Sequence, residues 1–198
     1  MSLVPMVISR EGNNERAMDI YSKMLDERII FVTGPVTQAM ADSVCAQLLF
    51  LESTGPKRDI TMYVNSPGGS VYAGLAIRDT MNYVKCDITT VCMGMAASMG
   101  SVLLASGTKG KRLILPDATV MIHQVSSGTQ GTVMDQERGL YEAVRLNDRL
   151  HHILAEATDG KVNYERMKEL CSRDHYMSAQ ATLELGLVDK IIDRNPNE

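Results

Sequence analysis

Three times in its first half the chain passes from a short buried strand through a glycine-rich turn into a helix. Arg28 to Thr33 reads as the first strand and stops at Gly34-Pro35. Thr37 then caps a helix running to about Thr54, with Met40, Val44, Leu48 and Leu51 on one face, and Gly55-Pro56 breaks it. Ile60, Met62 and Val64 alternate with Thr61 and Tyr63. That strand ends in Asn65-Ser-Pro-Gly-Gly-Ser70, ahead of a helix to about Val84. The third unit, Asp87 to Gly107, reads as a buried strand and then a small-residue helix, with Ser98 at the changeover. This succession calls for parallel strands joined by crossover helices, an α/β architecture.

The flanking segments fit around that frame. Residues 14–26 read as an amphipathic helix with Ala17, Ile20, Tyr21 and Met24 on one stripe. Arg112–Leu115 and Thr119–Ile122 read as short strands around Pro116-Asp117, and residues 124–132 as a Gly/Ser/Thr loop. A long helix is expected over 134–157, with Leu140, Ala143, Val144, Leu150, Ile153 and Leu154 facing inward and Asp159-Gly160 ending it. A shorter helix comes next, over about 163–172. Ser178 caps another, closed by Gly186, and Leu187 to Ile192 reads as a last strand.

At 198 residues the length suits one core and one domain, 1–198. A net charge of −4 with interspersed signs offers no basic block for nucleic acid or an anionic membrane. No apolar run reaches membrane-spanning length, and the N-terminus lacks the pattern of a secretory signal, so a cytoplasmic protein is expected. The four cysteines, at 45, 86, 92 and 171, form no C-x-x-C pair and read as reduced, packed thiols; no metal site is expected.

Ser98 is the residue that asks for a chemical explanation. A hydroxyl at a helix N-terminus lies beside unpaired backbone N–H groups and the positive end of the helix dipole, where an oxyanion is stabilised. It becomes a nucleophile only with a base and an orienting acid. Of the four histidines, His151 and His152 lie mid-helix and His175 sits in a polar turn. His123 instead leaves a buried strand at the sheet edge, where either a structural or a catalytic role is open. The acid could come from Asp117, Asp135, Asp148, Asp159 or Asp174, with Asp135 reading as a helix cap and Asp159 as a turn. The two glycines of Asn65–Ser70 suit either a tight turn or a pair of amides approaching a ligand. Neither this loop nor Gly107-Thr-Lys-Gly110-Lys-Arg112 has the spacing of a phosphate-binding loop, and Ala96-Ala-Ser98-Met-Gly100 departs from the G-x-S-x-G elbow.

With these residues in view, the sequence closely resembles the proteolytic subunits of the Clp protease family. The resemblance runs in order through Leu3–Ile8, Glu15–Tyr21, Ala46–Leu51, Tyr63–Gly69, Ala96–Gly100, Gly110–Arg112, Met121–Gln124 and Gly186–Asp189. It implies a crotonase-like spiral of β-α units in a ring-forming subunit, with a handle over about 124–157 and an axial pore segment over 1–18 that includes the start of the first helix. It implies Ser98 as nucleophile, His123 as general base and Asp174 as orienting acid, with the Gly69 and Met99 amides as the oxyanion hole. It further implies heptameric rings stacked in pairs around a closed chamber, with a paralogous ring as an alternative partner. An AAA+ Clp unfoldase would hydrolyse ATP and feed in unfolded protein substrates, so no cofactor is expected on this chain. Leu49, Tyr63, Tyr83 and Ile192 would receive the unfoldase, and Arg173 would serve the ring–ring contact.

Three positions depart from that family's pattern. Val125-Ser126-Ser127 stands where proline, an apolar residue and glycine are usual; Ser172 replaces an acid before Arg173-Asp174; and Thr158-Asp-Gly160 carries one additional residue. A structural ring subunit and a crotonase-type acyl-CoA enzyme are the competing readings. The first is disfavoured by the intact Ser98, His123 and Asp174, the second because such an enzyme has no need of them.

Overall fold

The computed structural model describes residues 4–11 and 14–193. Its first feature corrects the sequence reading. Met6–Glu11 (β1) and Asn14–Asp19 (β2) pair as an antiparallel ribbon, with Met6 opposite Asp19 and Glu11 opposite Asn14. The helix α1 spans only Ile20–Asp26. Asp19 sets that start: its carboxylate accepts the Tyr21 and Ser22 amides at 3.0 and 3.1 Å, which is N-cap chemistry, so the residues before it are free to pair with β1. Residues 1–3, 12 and 13 of the expected pore segment lie outside the described residues.

The remaining units come in the expected order: β3 (Ile29–Thr33), α2 (Gln38–Thr54), β4 (Ile60–Ser66), α3 (Val71–Tyr83), β5 (Ile88–Ala97) and α4 (Met99–Ala105). Beyond them lie β6 (Arg112–Ile114), β7 (Thr119–Ile122), α5 (Val133–Ala157), α6 (Tyr164–Leu170), β8 (His175–Met177), α7 (Ala179–Leu185) and β9 (Lys190–Ile191). Thr37, Ser70, Asn163 and Ser178 each cap the next helix by accepting a first-turn amide. The sheet order is β3-β4-β5-β6-β9, all parallel, with β7 pairing β5 and β8 pairing β7 antiparallel. The last strand is shorter than expected because only Lys190 and Ile191 lie in register with β6.

One irregularity in β5 prepares the site. Thr90–Cys92 pair with β6, but Met95–Ala97 pair with β7. The switch occurs where the register against β4 slips between Val64 and Ser66, at Gly94 with φ +71°. A Cβ on Gly94 would lie 2.9 Å from Asn65 Oδ1, and that same oxygen accepts the Met95 amide at 3.3 Å. A bulge of this kind bends a strand and re-aims the residues beyond it, here Ser98.

The core is continuous across the sheet and its helices. Ile30, Leu48, Ile60, Met62, Ile77, Leu103, Leu104, Ile114, Ile122 and Leu187 are fully buried within it. Each such side chain contributes about 1.5–3 kcal/mol through burial. All four cysteines are free thiols, and burial pushes Cys92 and Cys171 up to about 12, so both stay protonated and inert. Two buried arginines tie the frame together. Arg28 donates to the carbonyls of Leu51, Gly55, Arg58 and Asp59, closing the end of α2. Arg112 grips Asp189 through Nε at 2.9 Å and Nη2 at 2.6 Å and donates to Ala157 O at 2.7 Å.

Helix α5 corrects a second expectation. Leu150, Ile153 and Leu154 face the core, but Leu140 and Val144 are exposed and Ala143 is half-buried. Burial along α5 begins at Leu146, so the preceding turns carry an apolar stripe, with Val133, Met134 and Tyr141, that stays exposed. His151 is buried as packing in the same helix, and His152 stacks on Tyr164 with ring centroids 4.3 Å apart. Among the described residues no helix is long and apolar enough to cross a membrane.

Candidate active site

Ser98 occupies the single residue between β5 and α4 and is held at φ 54°, ψ −123°. A positive φ is uncommon for a residue with a Cβ and marks a position the surroundings impose. They do so on both sides. The Ser98 amide donates to Met121 O on β7 at 2.9 Å, and the Ser98 carbonyl accepts the Ser101 amide and hydroxyl at 3.0 and 2.6 Å. Small residues let the turn sit this tightly: a Cβ on Gly100 would lie 2.9 Å from Ser66 O. The Ser98 side chain is therefore set at the mouth of the sheet, half-exposed.

His123 lies just past β7, the strand beside the end of β5. Its position opposite Asp174 is a matter of register. Val120, Met121 and Ile122 stand opposite Met177, Tyr176 and His175, so the next step along the same antiparallel ladder sets His123 against Asp174. The side chains meet: His123 Nδ1 lies 3.0 Å from Asp174 Oδ1, and His123 Nε2 lies 2.9 Å from Ser98 Oγ. With Nδ1–H donating to the carboxylate, Nε2 is left to accept the serine O–H. The short strand β8, which places Asp174, replaces the polar turn expected around His175. Of the other candidate acids, Asp135 closes a capping box with Thr132 at the start of α5, and Asp159 pairs with Lys109 at a surface turn.

The glycine loop lies directly against this group. Val36 straps it, donating its amide to Gly68 O and accepting the Ser70 amide, both at 2.8 Å. A Cβ on Gly68 would fall 2.5 Å from the Ser98 Cβ, and one on Gly69 would run into the Val36 carbonyl oxygen. Both positions thus require glycine for close approach, and both have positive φ. The Gly69 amide is not among the loop amides committed to Val36, and the Met99 amide is the first of α4, with no partner inside the helix.

A pocket of about 200 Å³ opens beside Ser98 and His123. Val71, Val102, Val125, Leu150 and Leu154 give it an apolar wall, with Ser101 and Ser126 at its polar points. A more open cleft runs past His123 between residues 124–127 and 172–174. Nothing in the sequence marks the wall residues as such; Leu150 and Leu154 are legible there only as the inner stripe of α5. The remaining expected sites scatter over separate elements. Leu49 on α2 and Tyr83 at the end of α3 are exposed, at 45% and 76%, whereas Tyr63 on β4 and Ile192 after β9 are half-buried. Tyr63 stacks on Phe31 at 5.7 Å. Arg173 is exposed and forms no ion pair among the described residues.

A serine hydroxyl, an imidazole and a carboxylate in one hydrogen-bonded line at the edge of an α/β sheet can activate the serine for attack on an acyl carbon. That places the molecule among the serine hydrolases. The family comparison is narrower: the model of the Clp protease family matches residues 12–195, and the chain belongs to that family. Its members are serine peptidases that hydrolyse peptide bonds within ring-shaped proteolytic complexes served by an unfoldase.

Proposed function

We propose that this chain is the endopeptidase subunit of a chambered protease that cuts unfolded polypeptides to short peptides, with ATP spent by a partner AAA+ Clp unfoldase. The observation that carries the reading is the unbroken line from Asp174 through His123 to Ser98. Ser98 Oγ attacks the peptide carbonyl carbon while His123 Nε2 takes its proton. The carbonyl oxygen becomes an oxyanion, stabilised by the Gly69 and Met99 amides. His123 then gives the proton to the leaving amine, the C–N bond breaks, and the acyl group remains on Ser98. Water, deprotonated by His123, releases the second product and restores the serine. Asp174 holds the imidazole in the required tautomer throughout. Substrate lies extended as an added strand along residues 124–131, and the apolar pocket favours aliphatic side chains at the cleaved bond.

Assembly belongs to the same proposal. The crotonase-like spiral, heptameric rings stacked in pairs and the handle formed by about 124–157 account for the exposed apolar stripe of α5, which a second subunit would cover. Arg173 lies beside the site and is available to a neighbouring ring, whether of this chain or of a paralogue. The ribbon β1–β2 would stand at the axial pore, and Leu49, Tyr63, Tyr83 and Ile192 would receive unfoldase loops. A cytoplasmic setting suits the free thiols.

A fluorophosphonate probe combined with peptide mapping tests the chemistry. The adduct is expected on Ser98, at about one per chain, and labelling should disappear in His123→Ala. Equal labelling of several surface serines, with Ser98 unmodified, would refute the assignment.

A further inference from the structure

The segment after His123 is held from both sides. Gln124 Nε2 donates to Ser172 O at 3.2 Å, and the Val125 amide donates to Asn147 Oδ1 at 2.8 Å. The second bond crosses from the loop to α5. Asn147 lies three and seven residues before Leu150 and Leu154, so the three side chains share one stripe of that helix. Leu150, Leu154 and Val125 together line the pocket beside Ser98. Val125 itself is half-buried and packs on the core. Only a residue with an N–H can make this bond, and proline, usual at this position in the sequences this chain resembles, has none.

We infer that Asn147 is a positioning residue: its carbonyl oxygen fixes residues 124–126, and through them the pocket wall and the edge offered to substrate. The inference rests on the peptidase reading of the site. Asn147 touches no reacting atom, so its removal weakens substrate binding rather than the bond-breaking step.

The test compares Asn147→Leu, which keeps the volume and loses the acceptor, with Asn147→Asp, which retains an acceptor oxygen, in the assembled full-length protein. For a fluorogenic peptide with leucine at the cleaved bond, Asn147→Leu should raise KM about tenfold with kcat within about twofold of the parent. Asn147→Asp should restore KM. In a Val125→Pro background, where no N–H exists, Asn147→Leu should change KM no further. Hydrogen exchange read on a peptide covering residues 124–128 gives a measure independent of turnover: the Val125 amide should exchange about tenfold faster in Asn147→Leu. Parental KM and parental exchange in Asn147→Leu would overturn the inference, as would a KM defect that Asn147→Asp fails to repair. A parent chain that cleaves no peptide would instead defeat the peptidase reading, while the exchange result would still decide the tie.

Discussion

Replacing Ser98 with alanine is expected to lower kcat for peptide hydrolysis by about four to six orders of magnitude, if bond breaking limits turnover. Alanine keeps the Cβ that the turn already accommodates against Gly68, so α4 and β5 should be undisturbed. What disappears is the oxygen 2.9 Å from His123 Nε2. The residual rate would come from the free amides and from substrate held in place, which do not need the serine. Steady-state hydrolysis of a short peptide by purified, assembled Ser98→Ala checks this. Activity within about tenfold of the parent would remove Ser98 from the mechanism.

The second large effect concerns the frame. Asp189→Ala should destabilise the fold by about 3–5 kcal/mol, because it strands a buried guanidinium. Arg112 is 5% exposed, and Asp189 accepts from its Nε, its Nη2 and its backbone amide, and from the Gly110 amide. Burial alone would push the Asp189 carboxyl up, but the bonds from Arg112 and Gly110 together outweigh it and hold it below its ordinary value. The sign comes from linkage. A carboxyl depressed in the folded state adds stability above its unfolded pKa, near 3.8, and that contribution is lost as pH falls through the lower folded value. Thermal unfolding at neutral pH should show a midpoint lower by about 6–20 °C in Asp189→Ala. The difference from the parent should shrink below about pH 4. An unchanged midpoint would show that the pair contributes nothing to the fold.

The two predictions fall on parts of the chain that differ in how legible they are. Strand, turn and helix between residues 28 and 105 are readable because the information is local: alternating Ile60, Met62 and Val64, a cap at Thr37, glycines where the chain turns. Ser98 is conspicuous for the same reason, and His123 for its place at the exit of a buried strand. Asp174 is not accessible in this way. Its partner is set by the antiparallel register of a three-residue strand, β8, too short to leave a periodic signal. Only the family resemblance singles it out. The misreading of residues 14–19 has a similar cause. Their strand exists through pairing with β1, and helical spacing of Ala17, Ile20, Tyr21 and Met24 does not reveal that partner. In α5 the apolar spacing is real, but periodicity reports a stripe and not what covers it. Leu140 and Val144 belong to that stripe and lie beyond the reach of the subunit's own core. Gly110–Arg112 and Gly186–Asp189 stand out as motifs, yet their physical role is visible only when Arg112 meets Asp189.

One hydroxyl, one imidazole and one carboxylate act as a single unit in this account. Residues that act so lose their effect together. The most direct measurement is kcat for Ser98→Ala, His123→Ala and the double variant on the same peptide. The double variant should be no slower than the slower single variant, within about threefold. Losses that multiply in the double variant would mean the two side chains act on separate steps, and the account would be wrong.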